Sequence, residues 1–306
     1  MKKVIRIGTR ESQLALWQAN TVKGLLLQNG YEAELMLIKS DGDTDLKTPL
    51  YELGVQGIFT RALDIAMLND EIDIAVHSMK DVPTMMAKGI VQAAVLPRAS
   101  YKDILVPKQG VTFSDNKSPI KIATSSIRRK AQWLHRYPGT VIENLRGNVN
   151  TRLRKVEESD WDGAIFAAAG LERIGLRPGN AAELDWMLPA PAQGAIIVVS
   201  KEGDNYCMEA CAGMHDAETA LCAGIERDYL RALLGGCSTP ISALAVVEDG
   251  DVVFRGNILS KDGKQKKEIS KRTAMAAAAN LGSEAAAELL KDGGREILTQ
   301  FDDLMI

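Results

Sequence analysis

Short apolar runs alternate with amphipathic helical patterns as far as Leu188, and this alternation limits the fold more than any other feature. In the first part of the chain it predicts strands and helices in the order Val4–Gly8, Glu11–Asn29, Glu34–Lys39, Phe59–Asn69 and Asp73–His77. Strands that alternate with helices usually pair in parallel, because each helix returns the chain to the same end of the sheet. We therefore predict a mostly parallel sheet in this part.

A second module of the same kind follows, between about Ala99 and Leu188. Its predicted strands and helices are Ile120–Thr124, Ile127–Arg136, Val141–Leu145, Val149–Glu157 and Gly163–Ala168. Two such α/β lobes in sequence usually enclose a cleft. After a break at Pro189–Pro191, Ala195–Ser200 has the pattern of one more buried strand, which we expect to return to the first lobe.

The last part of the chain has a different pattern, in which a helix precedes strands joined by short turns. The helix is predicted at Glu218–Leu234, the strands at Leu244–Val247, Val252–Leu259 and Lys267–Arg272, and a long Ala-rich helix follows. The turns Glu-Asp-Gly-Asp and Lys-Asp-Gly-Lys are typical of hairpins. This pattern predicts an α+β domain with an antiparallel sheet.

The expected fold class is therefore α/β, with two α/β lobes around a cleft and a C-terminal α+β domain. A chain of 306 residues exceeds the ~250 to 300 residues at which a single core stops growing. We place domain 1 at residues 1–98 and 192–214, domain 2 at 99–191 and domain 3 at 215–306. The aperiodic segment Asp41–Gln56 is predicted to be a mobile loop of the kind that often covers an active site.

Composition excludes several classes of protein. No apolar run approaches the ~18 residues of a membrane span, and no apolar signal-peptide core follows the N-terminus, so we expect a cytoplasmic protein. The four cysteines and three histidines lack the spacing of a metal site or a disulfide framework. A net charge of −3 and an aromatic content of 5% disfavour a nucleic-acid partner. Residues 121–177 nevertheless hold eleven Lys/Arg against six Asp/Glu, which suits a small anionic ligand.

Arginine and hydroxyl side chains follow four of the predicted strands. Ligands of open α/β sheets bind at the carboxyl ends of the strands, so these side chains are expected to line one rim of each sheet. In strand order they are Arg10 and Ser12, then Ser125, Ser126, Arg128 and Arg129, then Arg146, then Arg173. Solvated surface arginines are the alternative interpretation, which their presence at four strand ends disfavours.

Arg128 and Arg129 stand at the start of a predicted helix, where the helix dipole favours acidic residues instead. Two cations in that position destabilise the helix unless an anion lies beside them. Together with the capping hydroxyls of Ser125 and Ser126 and the exposed backbone N–H groups, they predict an anion site suited to carboxylates.

Asp81 follows the predicted strand Asp73–His77, in the sequence His-Ser-Met-Lys-Asp-Val-Pro. It would be the lone acid among many bases, so it would stay ionised and oppose positive charge that develops on a substrate. A turn aspartate before Pro83 is the alternative interpretation. His77, which ends an apolar strand, is predicted to be packed rather than catalytic.

Cys237 lies in the sequence Leu-Gly-Gly-Cys-Ser-Thr-Pro, just past a helix whose end is marked by two glycines. This position predicts an accessible thiol, and nearby arginines would favour its thiolate form. A plain loop residue is the alternative. Cys207, Cys211 and Cys222 are predicted to be packing or surface residues.

Seven motifs resemble those of the porphobilinogen deaminase family, also called hydroxymethylbilane synthases, and occur in the family's order over nearly the whole length. They are IGTRESQLALWQA (7–19), DIAVHSMKDVP (73–83), ATSSIRRKAQ (123–132), LRGNVNTRLRK (145–155), AAAGLERIG (167–175), PAQGA (191–195) and LGGCSTP (234–240).

The resemblance implies a transferase of tetrapyrrole (heme) biosynthesis whose first two domains resemble periplasmic binding proteins. Such an enzyme joins four porphobilinogen molecules head to tail, with loss of ammonia, and releases hydroxymethylbilane by hydrolysis. The product grows on a dipyrromethane cofactor held by a thioether to the loop cysteine, which is Cys237 here. We expect a monomer with no metal.

The resemblance also assigns roles to individual positions. Asp81 matches the family's catalytic aspartate, which assists departure of ammonia and stabilises cationic intermediates. Eleven residues match those that hold the acetate and propionate groups of cofactor and substrate: Arg10, Ser12, Ser78, Lys80, Thr124, Ser126, Arg128, Arg129, Arg146, Arg152 and Arg173. Each pyrrole carries two carboxylates, which accounts for the excess of arginine.

Several positions depart from the family pattern, none of them at the predicted catalytic, anchoring or arginine residues. Ala123 and Ala192 replace glycine, Gln56 replaces a loop lysine, Ser242 replaces Gly or Ala, and Ile197–Ser200 replaces Gly-Ile-Glu. We expect these changes to affect loop dynamics, the fit of the returning strand and the rate, more than the type of reaction.

Two other functions account for part of the pattern. A non-enzymatic anion-binding protein would explain the cleft and the arginines, but neither the third domain nor the Gly-Gly-Cys sequence. A thiol hydrolase would need a base beside Cys237, and no histidine is placed by the sequence to serve as one. Ehrlich's reagent separates these hypotheses, because it colours a pyrrolic cofactor.

Overall fold

The computed structural model describes residues 3–39, 60–111, 119–233 and 239–304. These residues divide into two compact units. Unit 1 contains residues 3–39, 60–100 and 193–221, and unit 2 contains residues 101–111, 119–192, 222–233 and 239–304. None of the described helices is long and apolar enough to cross a membrane. The predicted loop Asp41–Gln56 lies outside the described residues.

The described helices and strands follow one another in three stretches of the chain. The first stretch contains β1 (Ile5–Thr9), α1 (Gln13–Gln28), β2 (Ala33–Leu37), α2 (Arg61–Leu68), β3 (Ile74–Ser78), β4 (Ile90–Val95) and β5 (Asp103–Pro107). The second contains β6 (Lys121–Ala123), α3 (Ile127–Arg136), β7 (Val141–Glu143), α4 (Val149–Glu158), β8 (Gly163–Ala167), α5 (Ala168–Glu172), β9 (Ala182–Glu183) and β10 (Ile196–Lys201). The third contains α6 (Asn205–Ala212), α7 (Ala217–Ala232), β11 (Ile241–Glu248), β12 (Asp251–Leu259), β13 (Lys266–Ala274), α8 (Leu281–Leu289) and α9 (Arg295–Leu298).

Unit 1 is built on a five-stranded sheet with the strand order β2-β1-β3-β10-β4. Strands β1, β2 and β3 pair in parallel, as the alternating pattern predicted. The returning strand β10 runs antiparallel to both β3 and β4, with Ile196 opposite Ser78. Apolar residues of this sheet pack against α1 and α6, where Cys207 and Cys211 are fully buried. The predicted packing role of these two cysteines is confirmed.

Unit 2 contains a second five-stranded sheet with the order β7-β6-β8-β5-β9, which repeats the arrangement of the first. Strands β6, β7 and β8 are parallel. Strand β5 runs antiparallel to β8 and to β9, with Asp103 opposite Ala167. Apolar residues cover both faces of the sheet, because helices α3 and α4 contribute to separate core clusters. The sequence did not predict strands β4, β5 and β9 or helix α6.

The C-terminal part of unit 2 contains the predicted antiparallel sheet, in the order β11-β12-β13. Helix α8 packs closely on α7, since a Cβ atom at Gly282 would lie 2.1 Å from the carbonyl oxygen of Ile225. The single long Ala-rich helix was a wrong prediction. Residues Met275–Asn280 form a 3-10 helix, and α8 spans only Leu281–Leu289. Beyond it, Gly293 has a φ of +89°, which is incompatible with a right-handed helix.

Gly194, just before β10, lies too close to the backbone of residues 99 and 100 to accommodate a side chain. Its φ is +88°, and an added Cβ atom would lie 2.7 Å from Ala99 O and 2.8 Å from Ser100 O. We predict that Gly194→Ala lowers the free energy of unfolding by about 3 kcal/mol or more, because strain and a clash with backbone combine. Gly203 is the matched control, since its φ is +86° but no atom lies within 4 Å of its added Cβ.

Gly203→Ala is expected to lower the free energy of unfolding by only about 1 kcal/mol, from the left-handed backbone alone. Urea unfolding followed by circular dichroism measures both variants. Equal losses in the two variants would contradict the close approach of Gly194 to residues 99 and 100.

Candidate functional site

The carboxyl edge of the unit 1 sheet gathers five of the predicted site residues. Strands β1 and β3 are parallel neighbours, so the residues that follow them lie at the same edge. Two features link the elements there: Ser12 caps α1 by accepting a hydrogen bond from Ala15 N (3.3 Å), and Gln18 Nε2 of α1 donates to Ser78 Oγ (2.9 Å). The five residues at this edge are Arg10, Ser12, Ser78, Lys80 and Asp81.

Asp81 ends a short 3-10 turn that continues directly from β3. The turn is held by the hydrogen bond from Val82 N to Met79 O (3.2 Å) and by the bond from Met79 N to Ala195 O (3.0 Å). The Asp81 side chain is half-buried, and within the described residues its carboxylate forms no hydrogen bond or ion pair. The backbone of Asp81 is therefore fixed at this edge, and its carboxylate is available to a cationic ligand atom.

Gln193 also reaches this edge, although the sequence analysis did not identify it. Lys80 Nζ donates to Gln193 Oε1 (3.3 Å), and Arg98 Nε donates to Gln193 O (2.9 Å). Gln193 directly precedes β10, and the start of an antiparallel strand lies at the carboxyl edge of its parallel neighbours. Gln193 can therefore be placed at this edge once β10 is known to run antiparallel to β3.

His77 is packed inside unit 1, as predicted. Its side chain is buried, and its Nε2 atom has no hydrogen-bond partner among the described residues. Burial, together with the positive charge of Arg10, lowers the pKa of His77 to about 4. The imidazole is therefore neutral at neutral pH.

The carboxyl edge of the unit 2 sheet gathers the other predicted binding residues, because β6, β7 and β8 are parallel neighbours. Backbone and hydroxyl groups form a continuous network after β6. Thr124 N donates to Glu143 O (2.8 Å), Thr124 Oγ1 accepts from Ser126 N (3.2 Å), and Ser126 Oγ accepts from Arg129 N (3.4 Å) at the start of α3. Ser126, one of the two predicted caps, is thus the N-cap of this helix, whereas Ser125 Oγ donates to Asn144 Oδ1 (2.7 Å) instead.

Arg128 and Arg129 are both buried, and they share the carboxylate of Asp103. Arg128 Nη2 donates to Asp103 Oδ2 (2.8 Å), while Arg129 Nε (3.1 Å) and Nη2 (2.8 Å) donate to Asp103 Oδ1. Burial lowers the pKa of Arg128, and Asp103 opposes that shift. Asp103, the chain's own anion beside the two arginines, was not predicted from the sequence.

The remaining arginines of this edge lie after β7 and β8. Arg146 is buried, and its carbonyl oxygen accepts from Lys155 Nζ (3.1 Å). Arg152 Nε donates to Gly147 O (2.7 Å). Burial lowers the pKa of Arg173 to about 10, against the opposing charge of Glu172, so that the guanidinium is protonated at neutral pH. All three side chains therefore carry positive charge.

Gln132, one turn further along α3, ties this helix to two other segments of unit 2. Its Nε2 atom donates to Leu188 O (2.9 Å) and to Ser242 Oγ (3.0 Å), and its Oε1 atom accepts from Leu188 N (2.9 Å). Ser242, one of the departures from the family pattern, is thus a buried hydrogen-bonding residue at the start of β11. Cys237, which precedes this strand, lies outside the described residues, as does Gln56.

The described cysteines and acidic residues form neither a disulfide nor a metal site. Cys207, Cys211 and Cys222 are buried and form no disulfide among the described residues. Burial raises the pKa of Cys211 to about 12 and raises that of Cys207 still further. Within the ranges that the structure describes, no three His, Cys, Asp or Glu side chains are grouped as a metal site.

Two family models match this chain over most of its length. "Porphobilinogen deaminase, dipyromethane cofactor binding domain" matches residues 5–209, and "Porphobilinogen deaminase, C-terminal domain" matches residues 220–291.

Curated relatives carry the same description. The porphobilinogen deaminase of Syntrophotalea carbinolica is 41% identical over 302 residues, covering 97% of this chain and 96% of the relative. The chloroplastic enzyme of Pisum sativum is 38% identical, over 97% and 82% of the two chains. The probable porphobilinogen deaminase of Methanocaldococcus jannaschii is 46% identical, over 82% and 86%.

Solved structures with a similar arrangement include an ABC transporter periplasmic substrate-binding protein from Coxiella burnetii, which is 15% identical. The TM-score is 0.45, and the match covers 71% of this chain and 94% of that one.

The neutral, buried His77 makes stability depend on pH. The unfolded chain takes up a proton near pH 6.5, whereas folded His77 does so only near pH 4, so the unfolded state binds more protons between these values. We predict that this residue lowers the free energy of unfolding by about 2 to 3 kcal/mol between pH 7 and pH 4.5. Urea unfolding of wild type and His77→Gln at both pH values measures it, and equal pH dependence in the two proteins would contradict the burial of a neutral imidazole.

Proposed function

Because the chain belongs to the porphobilinogen deaminase family, we propose that it is a transferase that condenses four porphobilinogen molecules head to tail into hydroxymethylbilane in tetrapyrrole biosynthesis. Each condensation releases one ammonia. The observation that carries this proposal is the charge pattern of the two sheet edges. The carboxylate of Asp81 is unpaired within the described residues at one edge, while arginines dominate the other.

The donor types at each edge suit the carboxylates of a dipyrromethane cofactor, because each edge offers guanidinium and hydroxyl groups. When bound, the cofactor supplies the pyrrole carbon to which the first substrate is joined. We propose Cys237 as its point of attachment through a thioether, by its position in the family motif. A thiolate at that position would be favoured by nearby positive charge.

We further propose that eleven residues hold the acetate and propionate groups of cofactor and substrate. Those on unit 1 would act with the catalytic carboxylate of the same edge, and those on unit 2 provide most of the positive charge. The residues are Arg10, Ser12, Ser78, Lys80, Thr124, Ser126, Arg128, Arg129, Arg146, Arg152 and Arg173. Four of them, Thr124, Arg128, Arg129 and Arg146, are buried, which restricts these side chains before a ligand arrives and reduces the entropy lost on binding.

Asp81 is proposed as the catalytic carboxylate. Loss of ammonia breaks the C–N bond of the substrate's aminomethyl group and leaves positive charge on the pyrrole. A carboxylate whose backbone is fixed by the turn Met79–Asp81 would stabilise that cation.

The proposal includes a cytoplasmic location, a monomeric state and three domains with the boundaries 1–98 with 192–214, 99–191 and 215–306. Reduced, buried cysteines suit a reducing compartment. The separate three-stranded sheet β11-β12-β13 supports a third domain.

Replacing Asp81 tests the catalytic assignment. We predict that Asp81→Ala lowers kcat by at least about 10²- to 10³-fold, because the cation formed as ammonia leaves loses its counter-charge. Stability is expected to change little, since the carboxylate makes no described hydrogen bond. Glu71→Ala removes an exposed carboxylate near the amino end of β3 and serves as the control. Near-normal turnover in Asp81→Ala, measured by porphobilinogen consumption, would exclude this role.

Intact mass tests the cofactor and its anchor. Protein purified from a host that makes porphobilinogen is expected to carry the added mass of two linked pyrrole units, and Cys237→Ser is expected to lack it. Cys222→Ser, which alters a buried cysteine of α7, should keep the added mass. Added mass retained in Cys237→Ser would exclude this residue as the anchor, and an unmodified wild type that also gains no mass after incubation with porphobilinogen would contradict the proposed function.

A further inference from the structure

Asp103 is a fully buried carboxylate for which neither the sequence motifs nor the proposed mechanism provides a role. It is the first residue of β5. Because β5 runs antiparallel to β8, with Asp103 opposite Ala167, this residue lies at the carboxyl edge of the parallel strands β6 and β8. That is the edge from which the proposed carboxylate-binding arginines of unit 2 project.

Both oxygens of Asp103 are used by two consecutive arginines. Asp103 Oδ2 accepts from Arg128 Nη2 at 2.8 Å, and Asp103 Oδ1 accepts from Arg129 Nε at 3.1 Å and from Arg129 Nη2 at 2.8 Å. The two oxygens therefore pair with different guanidinium groups. One carboxylate thus sets the spacing between two cations.

Backbone carbonyl groups complete the orientation of each guanidinium. Arg128 Nη1 donates to Leu188 O at 2.6 Å, and Arg129 Nη1 donates to Ile165 O at 2.9 Å. Each planar group is thus held at two different points, by the carboxylate and by a carbonyl. A free arginine side chain would lose about 2 kcal/mol of conformational entropy on binding a ligand, and much of that loss has already occurred here.

The charges of this cluster do not cancel. Two guanidinium groups and one carboxylate leave one positive charge in a site where the three side chains are nearly inaccessible to solvent. Without the carboxylate, two adjacent buried cations would repel one another and would each lose hydration, which favours their movement toward solvent. With it, the pair stays in place and still attracts an anion.

We propose that Asp103 is a positioning residue for carboxylate recognition, which holds Arg128 and Arg129 at the carboxyl edge of the unit 2 sheet in the geometry that binds an acetate or propionate group. The inference rests on the proposed function, because the carboxylates are those of porphobilinogen and of the cofactor. Asp103 itself does not touch the ligand in this account, and it acts through the two arginines.

Asp103→Asn is the direct test, since the amide has the shape of the carboxylate without its charge. We expect the KM for porphobilinogen to rise by about 10- to 100-fold, the loss expected when a charge-assisted hydrogen bond is misplaced. The kcat per molecule that carries the cofactor mass is expected to change much less, because the contact is made with substrate and transition state alike. Intact mass should also show a smaller fraction of cofactor-bearing protein.

Asp73→Asn is the matched control. Asp73 is also a buried aspartate, which accepts two side-chain hydrogen bonds from Arg6 (both 3.0 Å) and pairs with Lys3 (2.9 Å), but it lies before the amino end of β3, at the opposite edge of the other five-stranded sheet. Both variants should lose stability in urea unfolding. Only Asp103→Asn should show the raised KM and the reduced cofactor fraction.

An unchanged or lowered KM in Asp103→Asn would overturn the proposal, since it would mean that Asp103 is structural only or competes with the ligand. If Asp103→Asn does not fold, Asp103→Glu keeps the charge but displaces it by one methylene, and a wild-type KM in that variant would equally overturn the proposal. If the wild type neither carries the added mass nor consumes porphobilinogen, the proposed function fails. In that case a crystal structure of Asp103→Asn tests the positioning role separately. Displaced guanidinium groups of Arg128 and Arg129 would support it, and unmoved ones would overturn it.

Discussion

In each five-stranded sheet the fourth strand runs antiparallel to its neighbours, and the arrangement of both edges depends on this reversal. Parallel strands bring the residues that follow them to one edge. A reversed strand brings the residues that precede it to the same edge. Gln193 before β10 and Asp103 at the start of β5 arrive in this way, next to Lys80 and next to Arg128 and Arg129 respectively.

The two edges use charge differently. At the unit 2 edge, buried arginines are held by a buried carboxylate and by backbone carbonyl groups, so that the cations are fixed and in excess. At the unit 1 edge, Asp81 has a fixed backbone but no described partner for its carboxylate. Cations that are held in place by other groups can position an anionic ligand, whereas a carboxylate without a partner can stabilise positive charge that develops during a reaction. This contrast separates binding from catalysis in the proposed function.

Much of this arrangement could be predicted from sequence, because hydrophobic periodicity and strand ends are local signals. Helix α3 has the predicted bounds Ile127–Arg136, and the residues after β1, β3, β6, β7 and β8 lie at the expected edges. Asp103 and Gln193 were not predicted, because their location depends on strand direction, which is set by pairing between distant segments. The break in the Ala-rich C-terminal helix was missed because helix propensity outweighed the signal of Gly293.

Helix α3 connects the charged cluster around Asp103 to strand β11. Its first turn contains Arg128 and Arg129. One turn later, Gln132 donates a hydrogen bond to Ser242, near the start of β11. The charged cluster and the strand that follows Cys237 are therefore fixed to one helix within unit 2. Alteration of this helix is expected to affect both ligand binding and the position of β11.

The central claim is that the cations and Asp81 serve a condensation that expels ammonia. The most direct measurement is the ratio of ammonia released to porphobilinogen consumed by the purified wild-type protein, together with the mass of the product. The account predicts one ammonia for each porphobilinogen and a product of four linked pyrrole units. Porphobilinogen that is bound but not consumed, with no ammonia released, would contradict it and would favour a binding protein.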